Sequence, residues 1–123
     1  MSDSPESLIT CSTRGGLLVV SVSADQLTAV RVADDFDEQL KALLDQRTEK
    51  LWVMDFQSVT FLVTPAVNAL LVVSKTLQSR GGRLALTGLS KNIHQIFSLM
   101  RLDELLEICR DVDAAVELLT SKT

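Results

Sequence analysis

The chain is short of aromatic residues, has one histidine and two cysteines, and carries neither a long hydrophobic run nor a cluster of basic side chains. Each scarcity removes a class of protein. With aromatics at 4%, the core has to be built from Leu, Val, Ile and Ala. The longest apolar stretches, residues 17–20 and 69–73, fall far below the ~20 residues of a spanning helix, so no direct membrane insertion is expected. Twelve basic residues stand against sixteen acidic ones, for a net charge of −4. The arginines (Arg14, Arg31, Arg47, Arg80, Arg83, Arg101, Arg110) are scattered. A nucleic-acid backbone or an anionic bilayer rewards clustered cations, so neither is the expected partner.

The opening Met1-Ser2-Asp3-Ser4-Pro5 has no basic start followed by an apolar segment, and the expected location is cytoplasmic. In that compartment Cys11 and Cys109 are expected as reduced core thiols. Cys11, His94 and Cys109 show no metal-ligand spacing. Neither a Gly-rich phosphate loop, a nucleophile elbow nor a Cys–His dyad occurs. The expectation is therefore no catalytic residue, no metal and no cofactor. A lone His94 on a short helix reads as a surface or half-buried residue, and Trp52 as core.

A length of 123 residues, with 46% apolar and 23% charged, fits one soluble domain able to bury its core without a staple. Residues 1–6 read as a disordered tail and residues 7–120 as the domain. Two β-leaning runs, 8–12 and 17–22, flank Arg14-Gly15-Gly16, a hairpin signal. The loop at 23–28 has no assignable structure. Val32, Phe36, Leu40, Leu43 and Leu44 recur at helical spacing, with the acids of 34–38 on the solvated side. Residues 51–56 are apolar except at Asp55, the mark of a central strand covered on both faces. Thr64-Pro65 opens a helix, Thr64 as N-cap, which stops at Gly81-Gly82. Then come a strand at 83–87, a helix capped by Ser90 with Ile93, Ile96, Phe97 and Met100 as its apolar stripe, a strand at 105–109, and a last helix capped by Asp111. The order predicts an α/β fold with a four- to five-stranded mixed sheet, the hairpin at one edge and helices packed on one face.

Three stretches carry a resemblance. Val53-Met54-Asp55-Phe56-Gln57-Ser58-Val59-Thr60-Phe61-Leu62, then Gly81-Gly82-Arg83-Leu84-Ala85-Leu86-Thr87-Gly88-Leu89-Ser90, and Phe97-Ser98-Leu99-Met100-Arg101-Leu102-Asp103-Glu104-Leu105-Leu106 together resemble the STAS domain family, of the anti-sigma factor antagonist type. The resemblance implies a docking module that binds an anti-sigma factor or kinase-like protein to regulate transcription. It also implies a phosphorylated Ser or Thr at the start of the second helix, within Asp-Ser-Ser/Thr-Gly. The matching positions are Val63-Thr64-Pro65-Ala66, so the hydroxyl is kept at Thr64 while the Asp and the Gly are replaced. The upstream Ala24-Asp25-Gln26-Leu27-Thr28 also departs from the family's Gly-x-Leu-Asp.

Thr64 thus has two readings, a helix cap and a phosphorylation site. Leu71 and Val72 fall within the polar arc that Asn68, Lys75, Gln78 and Ser79 define, which suggests the core and rim of a small interface. The expected partner-binding surface is Leu62, Val63, Thr64, Pro65, Asn68, Leu71, Val72 and Lys75. A homodimer stays open, as does an unregulated scaffold subunit in a signalling or transport complex. Asp55 raises a rival, the phosphoacceptor receiver domain. That chemistry needs an acidic pair after the first strand and a late Lys, and neither is present.

Overall fold

The computed structural model describes residues 9–22, 26–27, 30–57, 59, 61–62 and 64–120. The tail expected at 1–6 lies outside them. Strands β1 (Ile9–Arg14) and β2 (Leu17–Val22) form the antiparallel hairpin. Gly15 and Gly16, at φ +60° and +86°, make its two-residue turn. Two consecutive left-handed residues are what a tight hairpin of this twist requires. There follow β3 (Gln26–Leu27), α1 (Val30–Gln46), β4 (Leu51–Asp55), β5 (Phe61–Leu62), α2 (Thr64–Ser79), β6 (Arg83–Thr87), α3 (Lys91–Leu99), a 3-10 turn (Leu102–Glu104), β7 (Glu107–Cys109) and α4 (Val112–Thr120).

The main sheet runs β1-β2-β4-β6-β7. Only the hairpin pair is antiparallel; β2–β4, β4–β6 and β6–β7 are parallel. The sheet is thus five-stranded and mixed, with β4 at its centre. Strand alternation then divides the core. Leu18, Val20, Trp52, Met54, Leu84 and Leu86 face one way, against Phe36 and Leu40 of α1, Leu70, Val73 and Leu77 of α2, and Ile93 and Phe97 of α3. Leu17, Val19, Val53 and Ala85 face the other way, against Ala115 and Leu119 of α4.

Three helices therefore share one face, as expected, while the fourth covers the opposite face. The reason lies in β2 and β4, where both parities are apolar and both need cover. Trp52 is fully buried and its indole N–H donates to the Glu49 carbonyl oxygen at 3.1 Å. Cys11 is exposed rather than core, because β1 is an edge strand buried only at Ile9, and Cys109 is half-buried. Both thiols are free.

Gly81-Gly82 ends α2 as expected. The Gly81 N–H donates to Gln78 O (3.0 Å) and the Gly82 N–H to Leu77 O (2.6 Å), the paired bonds of a Schellman cap. Gly81 supplies the left-handed turn at φ +82°. Gly82 has a different constraint: a Cβ there would sit 2.0 Å from the Lys50 carbonyl oxygen. The Ser90 hydroxyl accepts from the Ile93 N–H (3.2 Å) and the Asp111 carboxylate from the Ala114 N–H (2.8 Å), so both expected caps are formed.

Candidate functional site

The helix α2 is buried along Ala66, Val67, Ala69, Leu70, Val73, Ser74 and Leu77. This stripe turns Thr64, Pro65, Asn68, Val72 and Lys75 to solvent. The last four are spaced three and four apart, so they form one ridge. Val72 is 45% exposed, an apolar side chain flanked on the ridge by Asn68 and Lys75. Leu71 differs from its neighbour: it is half-buried and packs against the core at the flank of the ridge. Lys75 is the helix's one charged side chain. Gln78 turns back toward Ser74, donating to its hydroxyl at 3.4 Å, and the Ser79 hydroxyl donates to the Thr76 carbonyl at 2.7 Å.

The helix begins at Thr64, which places Pro65 in its first turn, where a missing N–H removes no intrahelical bond. The approach to that turn is held by a second, two-stranded sheet that the sequence does not signal. Backbone pairing of β3 with β5 sets Gln26 against Phe61 and Leu27 against Leu62. Leu62 thus reaches the site through its backbone, and β3 is brought to the start of α2. Val63 lies outside the described residues. At the far end, the Arg80 guanidinium donates to the Leu44 carbonyl at 3.1 Å and ties α2 to α1. The ridge is therefore fixed at both ends.

Asp55 has a local structural task. Its Oδ1 accepts from the Gln57 N–H (3.2 Å) and the Thr87 hydroxyl (3.3 Å), bracketing the turn after β4. Gly88, at φ +70°, lies so close that a Cβ there would come within 2.8 Å of the same oxygen. Among the described residues no three His, Cys, Asp or Glu side chains come together as metal ligands. His94 is exposed on α3, beside a cavity of about 380 Å³ that Cys109 also lines. Burial pushes the Cys109 thiol above its ordinary value, and the Glu107 carboxylate adds to the rise, so this thiol is not poised as a nucleophile.

Three of the ion pairs brace the sheet and the loop that leads into it. Arg83 grips Glu107 with two bonds (2.7 and 2.5 Å) across β6 and β7. Arg14 at the hairpin meets Asp113 of α4 at 2.5 Å. Arg47 holds Glu49 in the loop before β4 (3.0 and 2.5 Å). Hydrogen bonding from Arg47 keeps the Glu49 carboxyl below the usual glutamate range, with backbone N–H donors and the guanidinium charge adding to it.

The STAS domain family matches residues 9–115, and the chain belongs to that family. Solved structures of similar fold include an anti-sigma factor antagonist from Mycobacterium paratuberculosis, 20% identical over 90% of this chain and 92% of that one, with a TM-score of 0.78. A sulfate transporter family protein from Wolinella succinogenes is 21% identical over 90% and 93%, with a TM-score of 0.71. The Bacillus cell fate determinant SpoIIAA in its phosphorylated form is 14% identical over 89% and 98%, at 0.66. At these identities the likeness is one of fold. Among the described residues no helix is long and apolar enough to cross a membrane.

Proposed function

We propose that this protein is a non-catalytic docking regulator that binds an anti-sigma factor or kinase-like protein through the exposed ridge of α2 and so acts on transcription. The observation that carries the reading is Val72, an exposed apolar side chain between Asn68 and Lys75 on a helix whose core-facing stripe is complete. A buried apolar centre with a polar rim is the anatomy of a small recognition surface. The similarity to anti-sigma factor antagonists supports the choice of partner.

Thr64 is the residue through which such docking would be switched. It is exposed at the first turn of α2, where the helix dipole tolerates a phosphate and a kinase has access. A phosphate would add about −1.5 to −2 charge at the N-terminal end of the docking surface and repel an acidic or apolar partner. Val63 in place of the family's Asp argues for a docking module whose control differs from that of its relatives. A second reading, a scaffold or accessory subunit of a transport complex, draws on the sulfate transporter neighbour.

Affinity capture from a lysate of the source cell, with intact-mass measurement of the recovered chain, separates them. A soluble kinase-like partner, with a phosphate mapped to Thr64, supports the switchable regulator. Recovery of a permease instead supports the transport role.

A further inference from the structure

Five large apolar side chains stand exposed among the described residues, and only Val72 belongs to the ridge of α2. The other four are Leu99, Met100, Leu105 and Leu118. Leu105 and Leu118, at 60% and 42% exposure, line one groove of about 620 Å³, with Leu106 and Ile108 contributing to its wall. Leu99 and Met100 end α3 beside it, since the Ser98 hydroxyl donates to the Asp103 carboxylate (3.3 Å) and holds that end to the 3-10 turn. Arg101, the one described non-glycine residue in the left-handed region (φ +61°), turns the chain there. Four exposed apolar residues at one end are more than scattered surface residues explain.

Two further features describe what would fit. The groove includes Glu107 and Ile108 of β7, the last strand of the main sheet, which pairs on one side only among the described residues. An open edge accepts an added strand through its backbone, with side chains alternating on either face. The charge left open in the lining is acidic: Asp103 and Glu104 contribute to it, Glu107 is already held by Arg83, and no Lys or Arg lines the groove. A second copy would set these acids against their own kind, and an anionic bilayer would be repelled by them. A cationic segment would be attracted.

We propose that this groove is a second docking site, which takes an extended partner segment of alternating apolar and basic side chains along the open edge of β7. Apolar side chains of the segment rest on Leu105 and Leu118, and basic ones reach Asp103 and Glu104. The site shares no residue with the ridge of α2, so the two surfaces stand or fall separately.

The test titrates the full chain with a short labelled peptide alternating valine and lysine, and with its valine–glutamate counterpart. Fluorescence anisotropy gives affinity and amide shifts give location. The lysine peptide is expected to bind and to shift the amides of residues 103–109 and Leu118, while the glutamate peptide stays free. Leu105→Ser and Leu118→Ser change exposed side chains without altering the charge, leave the fold intact and weaken binding by about tenfold or more. Glu104→Lys weakens it too, and Val72→Glu leaves it unchanged. The inference is overturned by no binding of the lysine peptide, by equal binding of both peptides, by shifts confined elsewhere, or by a dimer in sedimentation that Leu105→Ser abolishes.

Discussion

Replacing each of the two glycines that end α2 by alanine separates two physical demands that the sequence writes with the same letter. In Gly81→Ala the new Cβ meets nothing within 4 Å, so the penalty is the left-handed backbone alone. That is about 1–2 kcal/mol. In Gly82→Ala the Cβ would lie 2.0 Å from the Lys50 carbonyl oxygen, where 3.0 Å is the least that real contacts show. The strands must therefore part by about 1.0 Å at that point, the difference of the two distances. That displacement breaks the bond from the Arg83 N–H to Lys50 O (3.0 Å) and strains the one from the Gly82 N–H to Leu77 O (2.6 Å). Leaving such groups unsatisfied costs about 1–3 kcal/mol each, so a total of about 3 kcal/mol or more is expected. Urea unfolding reads it directly through Trp52, the only tryptophan and a fully buried one. With a slope of about 1.5 kcal/mol per molar urea, Gly82→Ala lowers the midpoint by about 2 M and Gly81→Ala by about 1 M. Equal losses, or a Gly82→Ala midpoint within about 0.5 M of the parent, would refute the close approach as the reason for glycine.

The adjacent leucines of α4 test the second face of the sheet. Leu119→Ala, at a side chain 5% exposed, should cost about 2–3 kcal/mol, and Leu118→Ala, at 42% exposed, under about 1 kcal/mol. Thermal melts giving the reverse order would place α4 on the wrong helical face. The Arg47–Glu49 pair supplies a pH signature. Because the folded carboxyl of Glu49 is held below its ordinary value, the stability it adds is present above the unfolded glutamate range. It is lost as pH falls through the folded value. The melting difference between parent and Glu49→Gln should thus be present at neutral pH and shrink in acid. A difference that stays constant down to about pH 3 contradicts the assignment.

Most of the architecture was legible because its elements repeat a period. Phe36, Leu40, Leu43 and Leu44 mark α1, and all four are buried. The caps at Ser90 and Asp111 and the stop at Gly81-Gly82 read correctly, since each is a local device fixed by one side chain or its absence. The strands β3 and β5 did not read, because two residues are too few to show alternation. The last strand is shorter than its apolar letters suggest. Leu105 was expected within it and instead follows a 3-10 turn, 60% exposed. Met100, expected in the apolar stripe of α3, is the C-cap and is 51% exposed. These two displacements concealed the apolar end of the molecule.

The placement of helices on one face holds for α1, α2 and α3, and α4 is the addition. The unbroken apolar runs of β2 and β4 ask for cover on both sides, and α4, with its small Ala115 against Val53 and Ala85, provides the second. For the ridge, exposure of Asn68, Val72 and Lys75 follows from helical spacing. The half-burial of Leu71 depends on how α2 is rotated against its neighbours, which spacing alone does not set.

The most direct test of the central claim is titration of the captured partner against the parent chain and Val72→Glu, with circular dichroism confirming that both are folded. Val72 is 45% exposed, so the substitution should change stability by no more than about 0.5 kcal/mol. Placing a charge at the centre of the interface should weaken binding by about a hundredfold or more. A folded Val72→Glu chain that binds as tightly as the parent would show that the ridge of α2 is not the docking surface.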